Sequence, residues 1–349
     1  MQSPDNIDPA TGLLKGTFGI STLADGKRRF PALVLPDGGV IDVSSSYADT
    51  HAIFDEWDTA FDVLQEIAAK PGAATLRFEA LQALPPLAHP NMLCAGANYR
   101  QHVAEMMTHN KFNQHNRREG EDDDAFFKRN LEEVDRRGRE GLPFFWTGLH
   151  SSLTGANDDV LLPAVGQQPD WELELGAVLG GTGRYLSPEE AGEIVAGYVM
   201  VNDLGTVDEF RRTDVNWGFD WVSKHQPGFK PAGPFIVPRQ FMQLGDDVRI
   251  KLKVNGDVMQ DWPVTDMIFS IDKILSYASE RIRLTPGDLL ITGSPPGNGA
   301  FHGRFLKDGD VMEGEITYLG RQTNRVRSEP MGNRSVRWGS FNDVKMRIG

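Results

Sequence analysis

Most of this chain consists of short apolar runs, each ended by residues that favour turns. This pattern limits the chain to a β-rich fold. The clearest example is the segment RIKLKVNGDVMQDW at residues 249–262, in which two alternating runs flank Asn255-Gly256. Asn and Gly accept the positive φ angles that a two-residue hairpin turn requires. Two predicted helices, at about residues 188–196 and 271–281, interrupt the later strands. The pattern is typical of a β-rich α+β fold and not of alternating βαβ units.

We expect two domains in the chain of 349 residues, a length that suits one large domain or two. Residues 1–88 contain three short strand-like runs and a segment with helical spacing at about residues 57–70, which predicts a small N-terminal α/β domain. A proline-rich stretch at residues 85–90 marks the boundary. A larger domain is expected at residues 89–349.

Residues 107–141 differ sharply from the rest of the chain because they are almost entirely polar. Such a segment buries little apolar surface and is expected to lie outside the core. We interpret it as an exposed helical insertion, a lid, or both.

Composition excludes several classes of function. The net charge of −13 argues against nucleic acid or an anionic membrane as the main partner. No run of about 18 apolar residues is present, and the polar N-terminus lacks a secretory signal, so a cytoplasmic protein acting on a small molecule is expected. Cys94 is the only cysteine, so an intrachain disulfide is excluded and a metal site must use carboxylates or His.

Glu172 and Glu174 are separated by one residue in the strand-like run DWELELGAVLG. The period of two places both carboxylates on the same strand face. The pattern alone allows either a solvated outer face or a cation site. Asp203 follows an apolar run that predicts a buried strand, and it offers a third carboxylate. Three oxygen ligands would suit Mg²⁺ or Mn²⁺ better than zinc.

Several other polar residues could be catalytic or could have an ordinary structural role. His102 and Glu105 share a helix face at a spacing of three, as a water-activating base and its orienting carboxylate would, or as an ordinary surface pair. The loop that begins at Thr292 and Gly293 could direct N–H groups at an oxyanion, or it is simply a wide turn. Lys224, taken alone, is typical of a surface lysine.

Taken in order, these segments resemble the fumarylacetoacetate hydrolase (FAH) family. The resemblance covers about residues 91–326. It is carried by GANYRQHVAE (96–105), PFFWTGLHSSLTG (143–155), Glu172-x-Glu174, VND (201–203), GP (233–234), VNG (254–256), MIFS (267–270) and PGDLLITG (286–293).

The resemblance implies a mixed β-sandwich roll of the FAH type with a small N-terminal domain, usually in a homodimer. Members include acylpyruvate and fumarylpyruvate hydrolases, oxaloacetate decarboxylases and related isomerases. The implied activity is metal-dependent hydrolysis of a C–C bond in a 1,3-dicarbonyl compound of a catabolic pathway. A decarboxylase or keto–enol isomerase on the same scaffold is one alternative. A non-catalytic protein that binds a metal or ligand is another.

The resemblance also implies the roles of individual residues. The implied metal ligands, for Mg²⁺ with Mn²⁺ or Ca²⁺ as alternatives, are Glu172, Glu174 and Asp203. The implied catalytic groups are the dyad of His102 and Glu105 on a lid helix and the enolate-stabilising Lys224. The residues expected to contact substrate are Tyr99, Arg211, Thr292 and Gly293.

The chain departs from the family pattern at positions that would bind a carboxylate. Val207, Phe210 and Thr147 replace an Arg, a Gln and a Lys, respectively. Because none of these three can bind a carboxylate as an Arg does, we expect a bulkier and less anionic substrate, such as an alkyl or aromatic diketone or a cyclic dione. In the alternative, the missing cations are replaced by Arg211, Arg212 or Lys230.

Overall fold

The computed structural model describes residues 6–109, 114–212, 214 and 219–343. Its strands are β1 (Gly19–Asp25), β2 (Arg28–Val34), β3 (Gly39–Asp42), β4 (Leu76–Arg77), β5 (Gln82–Leu84), β6 (Met92–Gly96), β7 (Phe144–Gly148), β8 (Leu153–Gly155), β9 (Val160–Leu162), β10 (Pro169–Asp170), β11 (Leu173–Leu179), β12 (Val195–Asn202), β13 (Gly205–Thr206), β14 (Lys230–Ala232), β15 (Val237–Pro238), β16 (Arg249–Val254), β17 (Asp257–Pro263), β18 (Leu289–Ile291), β19 (Val311–Ile316) and β20 (Arg321–Ser328). Its α-helices are α1 (Thr50–Asp55), α2 (Trp57–Ala68), α3 (Arg100–His109), α4 (Asp123–Glu140), α5 (Pro188–Glu193), α6 (Ile271–Ser279) and α7 (Gly299–His302).

The strands form three main sheets. An N-terminal sheet has the order β4-β3-β2-β1-β5, and a second five-stranded sheet has the order β17-β16-β19-β20-β9. The strands β7-β6-β18-β11-β12-β14-β8 make a mixed sheet, with β15 added at β12. The prediction of a β-rich α+β fold is therefore confirmed.

The two central strands of the mixed sheet place the candidate site. All seven residues of β11 are buried, and β11 pairs with β12 so that Leu173 lies opposite Asn202. Gly314 on β19 lies against β11, where an added Cβ would approach Leu173 to 3.2 Å. The two sheets therefore pack closely at this point, and the polar residues at the end of the β11–β12 pair are carried by a buried strand.

The N-terminal segment folds largely as its sequence predicts. The first three strands form an antiparallel meander, and α2 covers most of the predicted helix before ending ahead of Pro71-Gly72. Leu23 and Phe30 belong to the same buried apolar cluster as Leu175 of the mixed sheet. Since the core is continuous, the boundary between residues 88 and 89 stays a prediction.

The hairpin predicted at Asn255-Gly256 is confirmed, with φ angles of 54° and 89° between β16 and β17. The helix predicted at about residues 188–196 was too long. Val195 instead begins β12, where it pairs with Leu179 and is buried. Burial in the central sheet overrides the helical spacing there.

The polar insertion contains the long helix α4, which packs along α3. Its buried residues are Phe126, Asn130 and Val134, and Asn130 donates a 3.0 Å hydrogen bond to Thr108 of α3. The helical part of the insertion is thus confirmed, its lid role stays a prediction, and residues 110–113 of this insertion lie outside the described residues. Within the described parts of the chain, no helix is both long and apolar enough to cross a bilayer.

Candidate active site

Three carboxylates converge where β11 and β12 meet. Glu172 immediately precedes β11, Glu174 lies within it, and Asp203 immediately follows β12. One carboxylate oxygen from each residue lies within 4.8 Å of the others. Asp203 donates its backbone N–H to the Glu172 carbonyl at 2.8 Å, and this bond holds the start of β11 next to the end of β12. Glu174 is only 1% exposed, so the alternative of a solvated outer face is wrong.

Two buried lysines neutralise part of this acidic cluster. Lys224 donates to Glu172 at 2.5 Å and to the Oδ2 atom of Asp203 at 2.9 Å. Lys230 donates to the other oxygen, Oδ1, of Asp203 and to the carbonyl of Lys224 at 2.9 Å. Lys224 is therefore not the surface residue that its local sequence suggests, and Asp203 has an ammonium group on each oxygen.

The ionisation of the cluster follows from burial and charge. Burial, with the nearby charges of Asp203 and Glu172, raises the pKa of Glu174 well above its usual range. Burial opposes ionisation of Asp203 as well, but the ammonium groups of Lys224 and Lys230 outweigh it and lower its pKa. Burial would lower the pKa of Lys224, yet the carboxylates of Asp203 and Glu172 raise it overall.

The three carboxylates fit a divalent cation. When all groups are ionised, three carboxylates and two ammonium groups leave one unit of negative charge in a buried site. Burial is the main cause of the raised pKa of Glu174, and repulsion by Asp203 and Glu172 adds to it; a cation would relieve that repulsion. An all-oxygen donor set of this kind suits Mg²⁺, Mn²⁺ or Ca²⁺.

The proposed dyad lies on α3. His102 is 6% exposed, and burial, assisted by the charge of Lys224, lowers its pKa to about 4. Glu105 is half-buried, and its carboxylate accepts a 2.8 Å hydrogen bond from Gln101, one turn earlier. Burial raises the pKa of Glu105. The helix thus brings a neutral imidazole into the electrostatic range of Lys224, while Gln101 is the hydrogen-bond partner of Glu105.

The residues expected to contact substrate occupy different environments. The Thr292 hydroxyl donates to the Leu175 carbonyl at 2.8 Å, and the Gly293 N–H donates to Glu174 at 2.5 Å. Tyr99 is fully buried, and burial raises its pKa. Arg211 is exposed and makes a backbone bridge to Phe219. Gly293 thus orients a candidate metal ligand, and the substrate contacts stay predictions.

Asn98 lies just before α3, and its side chain bonds to two other segments. Its amide donates to the Thr292 carbonyl at 2.8 Å and to the Phe269 carbonyl at 3.1 Å, and its Oδ1 atom accepts from the Phe269 N–H. Asn98 therefore ties the start of α3 to the loop after β18. This contact positions the helix that carries His102.

An aromatic cluster beside the lysines was missed in the sequence. Trp146 and Trp221 stack with ring centres 5.8 Å apart, and Phe219 stacks on Trp221 at 5.4 Å. The Lys224 ammonium lies 5.6 Å from the Phe210 ring centre, which links the cluster to the carboxylates. The available signal was the density of aromatic residues in these two segments, but nothing local shows that the segments meet.

A comparison with protein families identifies the family of this chain. The model of the family described as fumarylacetoacetate (FAA) hydrolase C-terminal matches residues 91–327. The chain belongs to this family, and the resemblance drawn from the sequence is confirmed.

Particular relatives illustrate the range of the family. Over 189 residues, the chain is 41% identical to 2,4-didehydro-3-deoxy-L-rhamnonate hydrolase of Sphingomonas sp. (strain SKA58), covering 53% of this chain and 65% of the relative. Over 187 residues it is 33% identical to oxaloacetate tautomerase FAHD2A, mitochondrial, of Bos taurus, covering 53% and 59%. These alignments span less than two thirds of the length of either relative.

A solved structure extends the likeness to most of the fold. Maleylpyruvate hydrolase from Sphingobium sp. SYK-6, in complex with manganese(II) and pyruvate, has a TM-score of 0.67 and 21% identity. The likeness covers 89% of this chain and all of that chain. Members of this family are hydrolases and isomerases acting on small molecules.

Proposed function

We propose that this protein is a divalent-metal-dependent hydrolase that cleaves a C–C bond of a 1,3-dicarbonyl compound in a catabolic pathway. One observation carries the proposal: Glu172, Glu174 and Asp203 converge beside the Lys224 ammonium. A buried, neutral His102 lies on the neighbouring helix. The combination offers a cation site, a fixed positive charge and a base.

Each group has a distinct task in this reaction. Glu172, Glu174 and Asp203 would hold the divalent cation, which would supply Lewis-acid polarisation of the substrate when bound. His102 accepts a proton from the water that attacks the second carbonyl carbon. Collapse of the hydrated carbonyl breaks the C–C bond and leaves a carboxylic acid on one side, while the electron pair of that bond forms an enolate near the positive charge of Lys224. The proton held by His102 then returns to the enolate carbon, which gives the ketone product.

A keto–enol isomerase or decarboxylase is the second candidate. It is favoured by the relative named as an oxaloacetate tautomerase, which shares 33% identity with the aligned region. Both alternatives also stabilise an enolate, so the same carboxylates and Lys224 would serve them. Hydrolysis additionally needs activated water, and dependence on His102 separates it from metal-only decarboxylation.

The direct test is a screen of 1,3-diketones and 2-oxo acids with the full chain, once with Mg²⁺ and once with EDTA. We expect Mg²⁺-dependent formation of a carboxylate and a ketone from a 1,3-dicarbonyl substrate. Loss of CO₂ alone, or interconversion of keto and enol forms without cleavage, would reject the hydrolase in favour of its alternative.

We also propose a substrate with a bulky, weakly anionic group. Trp146, Trp221 and Phe219 form an aromatic stack that leads away from the site lysines. Arg212, one of the cations considered as a replacement, already pairs with Asp214 at 2.6 Å and Asp220 at 3.3 Å. The aromatic stack supports an apolar or aromatic substituent.

For this substrate class, we expect kcat/KM to be higher for a neutral aryl or alkyl 1,3-diketone than for acetylpyruvate. Trp146→Ala should raise KM for the larger diketone by about tenfold, because it removes a stacking surface. Steady-state kinetics with both substrates measure the effect. A strong preference for acetylpyruvate that is lost in Arg211→Ala or Arg212→Ala would contradict the proposal.

The pH profile offers a further prediction. His102 can accept a proton only when neutral, and burial and Lys224 lower its pKa to about 4. At saturating Mg²⁺, which keeps the carboxylates ionised, kcat/KM should fall with decreasing pH only near this pKa and not near the ordinary value of 6.5. An acid limb near 6.5 in the wild-type pH–rate profile would argue against His102 as the base.

We further propose that the protein acts in the cytoplasm. We also propose that it is a homodimer, by analogy with the assembly that the family resemblance implies. Sedimentation of the purified full chain would test the oligomeric state. A monomer at micromolar concentration would contradict it.

A further inference from the structure

Lys230 is a second fully buried lysine under the acidic cluster. It begins β14, whose parallel pairing with β8 places Lys230 opposite Leu153. Its side chain is 0% exposed. A lysine is rarely buried without a partner, because transfer of its charge from water is costly. Its contacts therefore indicate what the ammonium does.

The contacts of Lys230 are all internal. Its ammonium pairs with the Oδ1 atom of Asp203, donates to the Lys224 carbonyl at 2.9 Å and lies 5.2 Å from the ring centre of Trp146. With no exposed surface, Lys230 cannot itself reach a substrate carboxylate. The alternative in which it replaces a missing substrate-binding cation is therefore unsupported, and any effect must pass through Asp203 and Lys224.

The charge of Lys230 changes the balance of the site. With the three carboxylates ionised, the two lysines leave a net charge of minus one, so a bound divalent cation would make it plus one. Without Lys230 the same site would carry minus two, and the loaded site would be neutral. A buried charge acts strongly at short range because little water screens it.

We propose that Lys230 is a positioning residue that holds Asp203 and the Lys224 backbone, weakens cation binding by the acidic cluster, and leaves the loaded site with a net positive charge. The last part rests on the proposed function, because a positively charged site favours the enolate that forms during C–C cleavage. Lys230 thus lowers the affinity of the site for a cation and stabilises the anionic reaction centre.

The experiment compares wild type with Lys230→Met, whose apolar side chain has a similar length. A calorimetric titration of the purified full chain with Mn²⁺, in the absence of substrate, should give a dissociation constant at least about tenfold lower for Lys230→Met than for wild type. With the substrate found in the screen, kcat should fall by about tenfold or more. A purely structural role would not tighten cation binding.

Two further variants serve as controls. Lys273→Met, on the exposed side of α6, should leave both Mn²⁺ affinity and kcat unchanged. Lys230→Arg keeps the charge and should keep Mn²⁺ affinity near that of wild type. If Lys230→Met does not fold, Lys230→Gln replaces it in the titration.

Equal or weaker Mn²⁺ binding in the folded neutral variant would overturn the proposal. Because the titration contains no substrate, it decides on Lys230 even if the wild type binds Mn²⁺ but cleaves no dicarbonyl. Mn²⁺ binding without cleavage would count against the proposed hydrolase. The role of Lys230 would still be decided by the titration.

Discussion

Glu172→Gln should abolish tight binding of a divalent cation and lower hydrolysis by at least about 10³-fold, while the chain remains folded. The substitution removes one of three converging carboxylates without changing the size of the side chain. Lys224 keeps its two hydrogen bonds to Asp203, at 2.9 Å to Oδ2 and 2.9 Å to the carbonyl, so no buried charge is left without a partner. Calorimetric Mn²⁺ titration and steady-state kinetics measure the two effects.

The controls for this prediction separate charge from fold. Glu189→Gln changes an exposed carboxylate in the first turn of α5 and should leave cation binding and rate unaffected. Glu174→Gln should resemble Glu172→Gln, because its remaining amide oxygen can still accept the Gly293 N–H. Full activity in wild-type protein treated with EDTA and freed of metal would show that catalysis needs no cation at the carboxylates.

The sequence predicted the acidic cluster because its geometry follows from local rules. Period two puts Glu172 and Glu174 on one side of a strand, and Asp203 stands where an apolar run ends. The β11–β12 pairing then brings Asp203 next to Glu172. Likewise, Asn255-Gly256 predicts its hairpin from turn chemistry alone. These features depend on short segments or on one strand pair.

Other parts of the site depend on contacts that no local pattern encodes. Trp146 and Trp221 stack although they belong to segments far apart in the chain. Lys230 differs from a surface lysine only through its place on a buried strand that reaches Asp203. A polar residue in a short segment is normally solvated, so sequence reasoning favours that interpretation until the fold supplies a partner.

Glu105 illustrates a different limit. The spacing of three residues correctly places it on the same helix as His102, but Gln101 lies four residues before it and is also a helical neighbour. In the structure it is Gln101 that donates to the Glu105 carboxylate. Helical periodicity identifies the possible partners of a side chain, and only the side-chain conformations select one of them.

Replacement of His102 should lower the catalytic rate without weakening cation binding, whereas replacement of a carboxylate should affect both. His102→Ala removes the neutral base that accepts a proton from water, and we expect kcat to fall by about 10²–10⁴-fold. Mn²⁺ affinity should remain nearly unchanged, since His102 is not one of the clustered carboxylates. Pre-steady-state and steady-state kinetics at saturating metal measure the loss in the chemical step.

The matched control for His102→Ala lies on the same helix. His109→Ala alters an exposed imidazole in the last turn of α3 and should retain wild-type kcat, so a general loss of α3 is distinguished from loss of the base. Retained cleavage in His102→Ala would assign water activation to another group. Retained decarboxylation or tautomerisation with lost cleavage would instead mean that enolate stabilisation by the carboxylates and Lys224 is independent of the base, and that His102 is what makes this site a hydrolase.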